Sequence, residues 1–217
     1  MSAKSPNSKE LRYDLKVIAS WISPSSKVLD LGCGEGALLS HLRDSKQVEG
    51  IGIEKNEAKV ISCINKGLSV LQGDINSEVQ DYQDNAFDYV ILSQTMQQVY
   101  APDQLLSRLL RIGRRVIVSF PNFGHWSCRL QHLFSGIAPK TEQLPFEWYN
   151  TPNIRVITIK DFRKFAHRQN YAIIREVAIR TDHHDTTGTR VHFLPNLRAT
   201  YDILLLEKKN AGRKGEK

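Results

Sequence analysis

The sequence predicts an α/β fold, a mostly parallel sheet with helices on both faces. Three observations carry this expectation. Apolar strand-like runs alternate with helix-period segments over residues 27–121, a glycine-rich turn follows the first strand, and the last two strand patterns are joined by a polar loop. Parallel strands need long crossovers, which helices supply, whereas a loop-joined pair fits an antiparallel edge.

The first helix is expected over residues 11–22, where Leu11, Leu15, Ile18 and Ile22 recur at helical spacing. Ser23-Pro24-Ser25-Ser26 ends it, and residues 27–31 read as a short buried strand running into glycines. Ala37, Leu38, Leu39 and Leu42 form the inner face of the next helix. Further strands are expected at 48–54, 68–71, 87–93 and 115–120, with a helix at 57–66 closed by Gly67. Another helix starts at Pro102, where the missing N–H costs nothing, and reaches Arg111.

The last third changes character. Residues 125–134 can form a helix, but 136–155 carry Pro139, Pro145 and Pro152 among Phe146, Trp148 and Tyr149. A loop this long in a compact domain is a lid or a linker, and its aromatics argue against disorder. A helix at 161–168 follows, then strands at 173–179 and 199–206 around a polar loop at 181–189.

With 217 residues and 41% hydrophobic content, one core and one domain are expected. The domain should span residues 11–207, with a flexible N-terminus at 1–10, a lid-like insertion at about 136–157 and a basic disordered tail at 208–217. That tail holds Lys208, Lys209, Arg213, Lys214 and Lys217 against Glu216, so +4 of the net +7 sits there and nucleic-acid binding is not favoured. No apolar run is long enough to cross a bilayer, so no membrane partner is expected. Cys33, Cys63 and Cys128 form no C-x-x-C pair, which fits a reduced, cytoplasmic setting.

The segment Val28-Leu29-Asp30-Leu31-Gly32-Cys33-Gly34-Glu35-Gly36 carries the strongest chemical signal. Glycines at alternate positions between a strand and a helix let the backbone pass close to a ligand where a Cβ would collide. A pyrophosphate at this turn would be repelled by Asp30, whereas the cationic amino and sulfonium groups of S-adenosylmethionine suit a carboxylate. The loose G-x-G-x-x-A pattern at Gly32 to Ala37 is by itself weak support for a dinucleotide. The expected ligand is therefore S-adenosylmethionine or S-adenosylhomocysteine.

Glu54 ends the second strand at the spacing expected of an acid that accepts from both ribose hydroxyls, with Lys55 beside it. Asp74, after Gly73, is placed to accept from the adenine amino group, with Ile75 against the ring. Ser93 and Gln94 face the methyl-donor end. The expected binding set is thus Asp30, Leu31, Gly32, Cys33, Gly34, Gly36, Glu54, Lys55, Gly73, Asp74, Ile75, Ser93 and Gln94.

Together these features resemble the class I S-adenosylmethionine-dependent methyltransferases over residues 27–121. That resemblance implies a Rossmann-like, seven-stranded sheet in the order 3-2-1-4-5-7-6, with the last strand antiparallel. Three further stretches are similar to the methionine biosynthesis protein MetW family: residues 91–99, 118–126 (Val-Ser-Phe-Pro-Asn-Phe-Gly-His-Trp) and 144–154 (Leu-Pro-Phe-Glu-Trp-Tyr-Asn-Thr-Pro-Asn-Ile). The likeness implies bacterial methionine metabolism with a homoserine O-acyltransferase partner. It does not by itself imply a methyl acceptor. The family pattern has an acid and a histidine where this chain has Asn150 and Arg155, so acid–base chemistry is not carried over at those two positions.

Catalytic candidates are few. His125 follows the fifth strand and reads equally as a base or as a cap on the next helix. Glu147, Trp148 and Tyr149 read as a lid more readily than as an acceptor pocket, which leaves a small-molecule methyl acceptor as the alternative function. His183, His184, Asp185 and His192 have no second cluster at ligand spacing, and no metal is expected. Cys33 reads as a small residue beside the ligand, and the amino-methyltransferase and Pro-Cys signatures of nucleic-acid enzymes do not occur.

Overall fold

A computed structural model describes residues 10–182 and 184–209. Its strands are β1 (Lys27–Leu31), β2 (Glu49–Glu54), β3 (Ser69–Gln72), β4 (Phe87–Ser93), β5 (Gly113–Pro121), β6 (Tyr171–Arg180), β7 (Thr189–Arg190) and β8 (Tyr201–Lys208). They form one sheet in the order β3-β2-β1-β4-β5-β8-β6-β7. β1 to β5 are parallel, and β8 lies antiparallel between β5 and β6.

The seven longer strands follow the expected order, with β8 as the reversed strand. The sheet nevertheless has eight strands among the described residues, not seven. The extra one, β7, pairs Arg190 with Ile179 and Thr189 with Arg180 inside the stretch expected to be a polar loop. Two exposed polar residues carry no period for a sequence pattern to show. Backbone pairing to the open edge of β6 makes the strand.

Helices cover both faces, as the alternation demanded: α1 (Tyr13–Trp21), α2 (Ala37–Lys46), α3 (Glu57–Asn65), α4 (Ile75–Glu78), α5 (Pro102–Ile112), α6 (Trp126–Ser135), α7 (Ile159–Arg168) and α8 (Pro195–Arg198). Leu105, Leu106 and Leu109 of α5 and Phe162 and Ala166 of α7 pack on Leu29, Val90, Leu92 and Val118. On the opposite face Ile18 and Ile22, with Leu38, Leu39 and Leu42 of α2, pack on Val28, Ile91, Ile117 and Ile203. β4 alternates between these two cores, which is why it reads as an unbroken apolar run.

Local chemistry sets the ends. Thr158 caps α7 by accepting from the Asp161 N–H at 3.1 Å and donating to the Asp161 carboxylate at 2.7 Å, so this helix starts two residues before the expected 161. α5 passes into β5 with no loop, and there a Cβ on Gly113 would lie 2.5 Å from the Val90 side chain. The flexible N-terminus falls almost wholly, and the basic tail from residue 210, outside the described residues; Lys208 ends β8. Among the described residues no helix is long and apolar enough to cross a membrane.

Candidate cofactor-binding site

All five parallel strands end at one edge of the sheet, where their following connections diverge, and the predicted binding residues gather there. Gly32, Gly34 and Gly36 all have φ between +59° and +74°, the left-handed region in which a side chain is strained. Gly32 is held by its N–H to the Ile53 carbonyl at 2.8 Å, and Cys33 by the same carbonyl at 3.2 Å. Two of the glycines are enclosed: a Cβ on Gly32 would meet the Thr95 hydroxyl at 2.7 Å, and one on Gly36 the Leu68 side chain at 2.4 Å. A Cβ on Gly34 would meet nothing within 4 Å. Only the middle glycine therefore faces open space, the side from which a ligand can approach the bare backbone.

Glu54 bridges the turn and the second crossover. One carboxylate oxygen accepts from the Gly34 N–H at 2.9 Å and the other from the Asn56 N–H at 2.9 Å, while its carbonyl accepts from Gly73 N–H at 3.1 Å. Each oxygen keeps a further lone pair for a hydroxyl donor.

Asp30 is different. Its side chain is buried, with 3% exposure, and accepts no hydrogen bond among the described residues. Burial, and then the neighbouring Glu54 charge, push its carboxyl up to about 7. A buried carboxylate left without a partner is costly, and a cation brought to it relieves that cost. Leu31, behind it, is fully buried.

Asp74 caps α4 through the Asn76 N–H at 2.8 Å, and that hydrogen bond holds its carboxyl below the usual range. Its other oxygen lies 3.9 Å from the exposed Lys55 ammonium. Ile75 opens α4 and packs partly against the core. Ser93 shares a hydroxyl contact of 3.0 Å with Ser119. Gln94, at φ +51°, donates its side-chain amide to Asp14 at 2.6 Å.

Asp14 was not among the residues singled out from sequence. It is buried on α1 and also accepts from Nε and Nη2 of the Arg12 guanidinium, at 3.1 and 2.9 Å. The signal was present: position 14 lies three after Leu11 and four before Ile18, on the apolar stripe, where a carboxylate needs a partner. A second such residue is Asn122, whose amide donates to the Asn196 and Ala199 carbonyls at 3.1 and 2.9 Å and accepts from Gly124 N–H at 3.0 Å and Ile159 N–H at 3.4 Å. It ties the end of β5 to the starts of α7 and β8. Nothing in the sequence distinguishes this Asn from a turn residue.

Among the described residues none of the catalytic candidates hydrogen-bonds the turn. His125 caps α6: its Nδ1 accepts from the Ser127 N–H at 3.4 Å and lies 2.7 Å from the Ser127 hydroxyl. Its Nε2 is buried with no partner among the described residues, and burial, then Arg180, lower its pKa. Glu147 pairs with Lys140 at 2.6 Å, and Tyr149 is an exposed ring set edge-on to Trp148 at 5.7 Å. Neither makes a hydrogen bond or ion pair with residues 30–36 among the described residues. Asn150 accepts from Glu147 N–H at 3.0 Å, and Arg155 holds the carbonyls of Val99 and Tyr100, so both shape the insertion.

Among the described residues no three His, Cys, Asp or Glu side chains converge on one point, and His183 lies outside them. His192 lines a 140 Å³ pocket with Arg180, Arg190 and Arg198, whose charge repels a metal cation. A larger concavity of about 560 Å³, lined by Lys27, Arg43, Glu49 and Leu68 among others, opens at the amino edge and includes none of the predicted residues. Burial raises the Cys33 thiol far above the usual range, which agrees with a packing residue and not a nucleophile.

Sheet order, reversed strand and glycine turn together define the class I S-adenosylmethionine-dependent methyltransferase fold. A crystal structure of an S-adenosylmethionine-dependent methyltransferase from Archaeoglobus fulgidus is similar with TM-score 0.66 and 14% identity, over 90% of this chain and 91% of that one. The [4+2]-cyclase SpnF is similar with TM-score 0.62 and 14% identity, over 94% of this chain and 85% of that one. Within this class the chain belongs to the methionine biosynthesis protein MetW family, whose model matches residues 12–206. The bifunctional methionine biosynthesis protein MetXA/MetW of Rhodopirellula baltica is 34% identical over 216 residues, which cover 94% of this chain and 34% of that protein. The chain thus spans about a third of that relative's length.

Proposed function

We propose that the chain binds S-adenosylmethionine or S-adenosylhomocysteine at the Asp30–Gly36 turn and acts in methionine biosynthesis with a homoserine O-acyltransferase of the MetXA type. The observation that carries the reading is the family itself, with a relative in which MetXA and MetW form one bifunctional protein. The buried, unpartnered Asp30 beside the open face of Gly34 supports the ligand assignment, because that pair suits a cationic group lying against bare backbone. In this reading Asp30 faces the amino and sulfonium charges, with Leu31, Gly32, Cys33 and Gly36 shaping the turn. Glu54 receives the ribose hydroxyls with Lys55 beside it. Gly73, Asp74 and Ile75 hold the adenine, and Ser93 and Gln94 line the donor end.

When bound, S-adenosylmethionine supplies either a transferable methyl group or a report of the pathway's end product. A cofactor acting as a report biases the partner only through different affinity for two states of the complex. Calorimetry should give binding of both ligands to the wild type and none to Gly34→Asn. The acyltransferase rate, measured with and without this chain and ligand, tests the partnership. A rate that does not change under any combination removes it.

A second reading is methyl transfer to a small molecule, favoured by the open donor turn. It asks for label transfer from a methyl-labelled donor to a metabolite extract, above the Gly34→Asn background. Nδ1 of His125 is engaged by Ser127 and its unpartnered Nε2 is buried, so an acceptor that needs only positioning fits better than one that needs a base. SpnF shares the fold and is a cyclase, so the fold does not fix the reaction.

A further inference from the structure

We infer that the outward face of α6, continued by the aromatic loop after it, is the surface on which the acyltransferase docks. The inference rests on the partnership proposed above and adds its location. α6 buries one residue, Cys128. Trp126, Leu130, Leu133, Phe134 and Ile137 recur at helical spacing and are all exposed, Leu133 by 73% and Phe134 by 81%. A helix of ten residues is marginal in water by itself, and its stability comes from burying an apolar stripe. Here the stripe faces away from the domain.

The stripe does not stand alone. Gln131 exchanges hydrogen bonds with the Lys140 backbone, at 3.2 and 2.5 Å, and the Lys140 ammonium binds Glu147. This chain of contacts holds the exposed Phe146, Trp148 and Tyr149 next to the helix. At aromatic areas of ~150–250 Å² each, the combined apolar patch is on the order of 1,000 Å². A stable interface takes about 800 Å² from each partner, and isolated monomers rarely expose more than about 600 Å² in one patch.

Neither flanking stretch of residues offers an apolar counterpart. Residues 1–9 and 210–217 contain one large apolar side chain between them, Met1. The relative from Rhodopirellula baltica instead joins its MetW part to a MetXA part, in one chain about three times as long as the matched region. Fusion of that kind supplies a high effective concentration for a face that must otherwise find its partner by diffusion. The position also suits coupling. α6 leaves the carboxyl end of β5, and Arg155 fastens the returning limb to the carbonyls of Val99 and Tyr100, a few residues beyond Ser93 and Gln94.

The test is affinity of the full chain for the homoserine O-acyltransferase of the same organism, by calorimetry and sedimentation velocity, for the wild type, Leu133→Asp, Phe134→Ser and Lys164→Glu. Lys164 is exposed on α7, away from the patch, and serves as the control. The expected result is at least about thirtyfold weaker binding for Leu133→Asp, the loss typical of an interface hot spot, severalfold weaker for Phe134→Ser and no change for Lys164→Glu. If Leu133→Asp fails to fold, Phe134→Ser carries the readout. Equal binding by all four chains overturns the docking face and leaves the partnership standing. No binding by the wild type overturns both. Two other results also overturn the inference: a dimer of this chain alone that Leu133→Asp dissociates, or pelleting with phosphatidylglycerol vesicles that Leu133→Asp abolishes.

Discussion

The two sides of β5 use apolar and polar residues in opposite ways. Up to β5 most apolar residues go inward, with Ile61, Ile64, Leu71 and Tyr100 as exposed exceptions, and the carboxyl edge presents glycine backbone, the carboxylates Asp30, Glu54 and Asp74, and the polar Ser93 and Gln94. From residue 122 to about 157, polar groups such as Asn122 and Gln131 hold the backbone in place while apolar side chains face out. The first region is organised around something small that comes to it. The second has the layout that the proposed docking face requires.

The largest effect should come from Gly34→Asn. Asparagine tolerates a left-handed backbone, and no atom lies where its Cβ would go, so the fold should lose only about 1 kcal/mol. The side chain fills the open space over the turn, and ligand affinity should fall at least about a hundredfold by calorimetry. Unchanged affinity would break the assignment of that face to the ligand.

Asn122→Ala should come next, since it leaves two carbonyls and two N–H groups unpartnered. A loss of about 2–3 kcal/mol in urea unfolding is expected, with ligand affinity much less affected. An equal loss of affinity would mean that the two regions are not separable.

Asp30→Asn should weaken ligand binding by about 10- to 100-fold through loss of a charged partner. It should also stabilise the ligand-free protein at pH 8. The folded Asp30 carboxyl titrates at about 7, above its ordinary value of 3.8, so the stability it lends is complete below pH 4 and is lost as pH rises through 7. Removing the ionisable group removes that loss, and the melting temperature at pH 8 relative to pH 5 reads it.

In the wild type the same linkage predicts that ligand affinity rises about tenfold between pH 6 and pH 8, as Asp30 gives up its proton to meet a cation. Proton release in buffers of different ionisation enthalpy checks the sign. A flat profile would separate Asp30 from the ligand's charge. Smallest of all, Phe134→Ser should change stability by no more than about 0.5 kcal/mol, because an exposed ring loses few contacts.

The same comparison explains what the sequence made legible. Strand and helix alternation with apolar runs such as that of β4 is a long, redundant signal, and each end of β4 and β8 differs from expectation by two residues or fewer. The glycine turn was legible because positive φ leaves a chemical trace in residue type. Asp14 and Asn122 were not, since their importance lies in partners 80 and 77 positions away, Gln94 and Ala199, which no local pattern reports. β7 and α8 were invisible for another reason: each spans only about one period, so nothing repeats within it.

The loopless passage from Ile112 to Gly113 also limits how this chain can change length. A residue added there would move β5 by one position against β4 and β8 and turn each of its side chains to the opposite core. Between Gly136 and Thr158 an added residue meets no ladder except the single Thr141–Leu144 bridge. Growth by insertion is therefore channelled to the carboxyl edge, where new chain alters what the protein touches and leaves the sheet as it is.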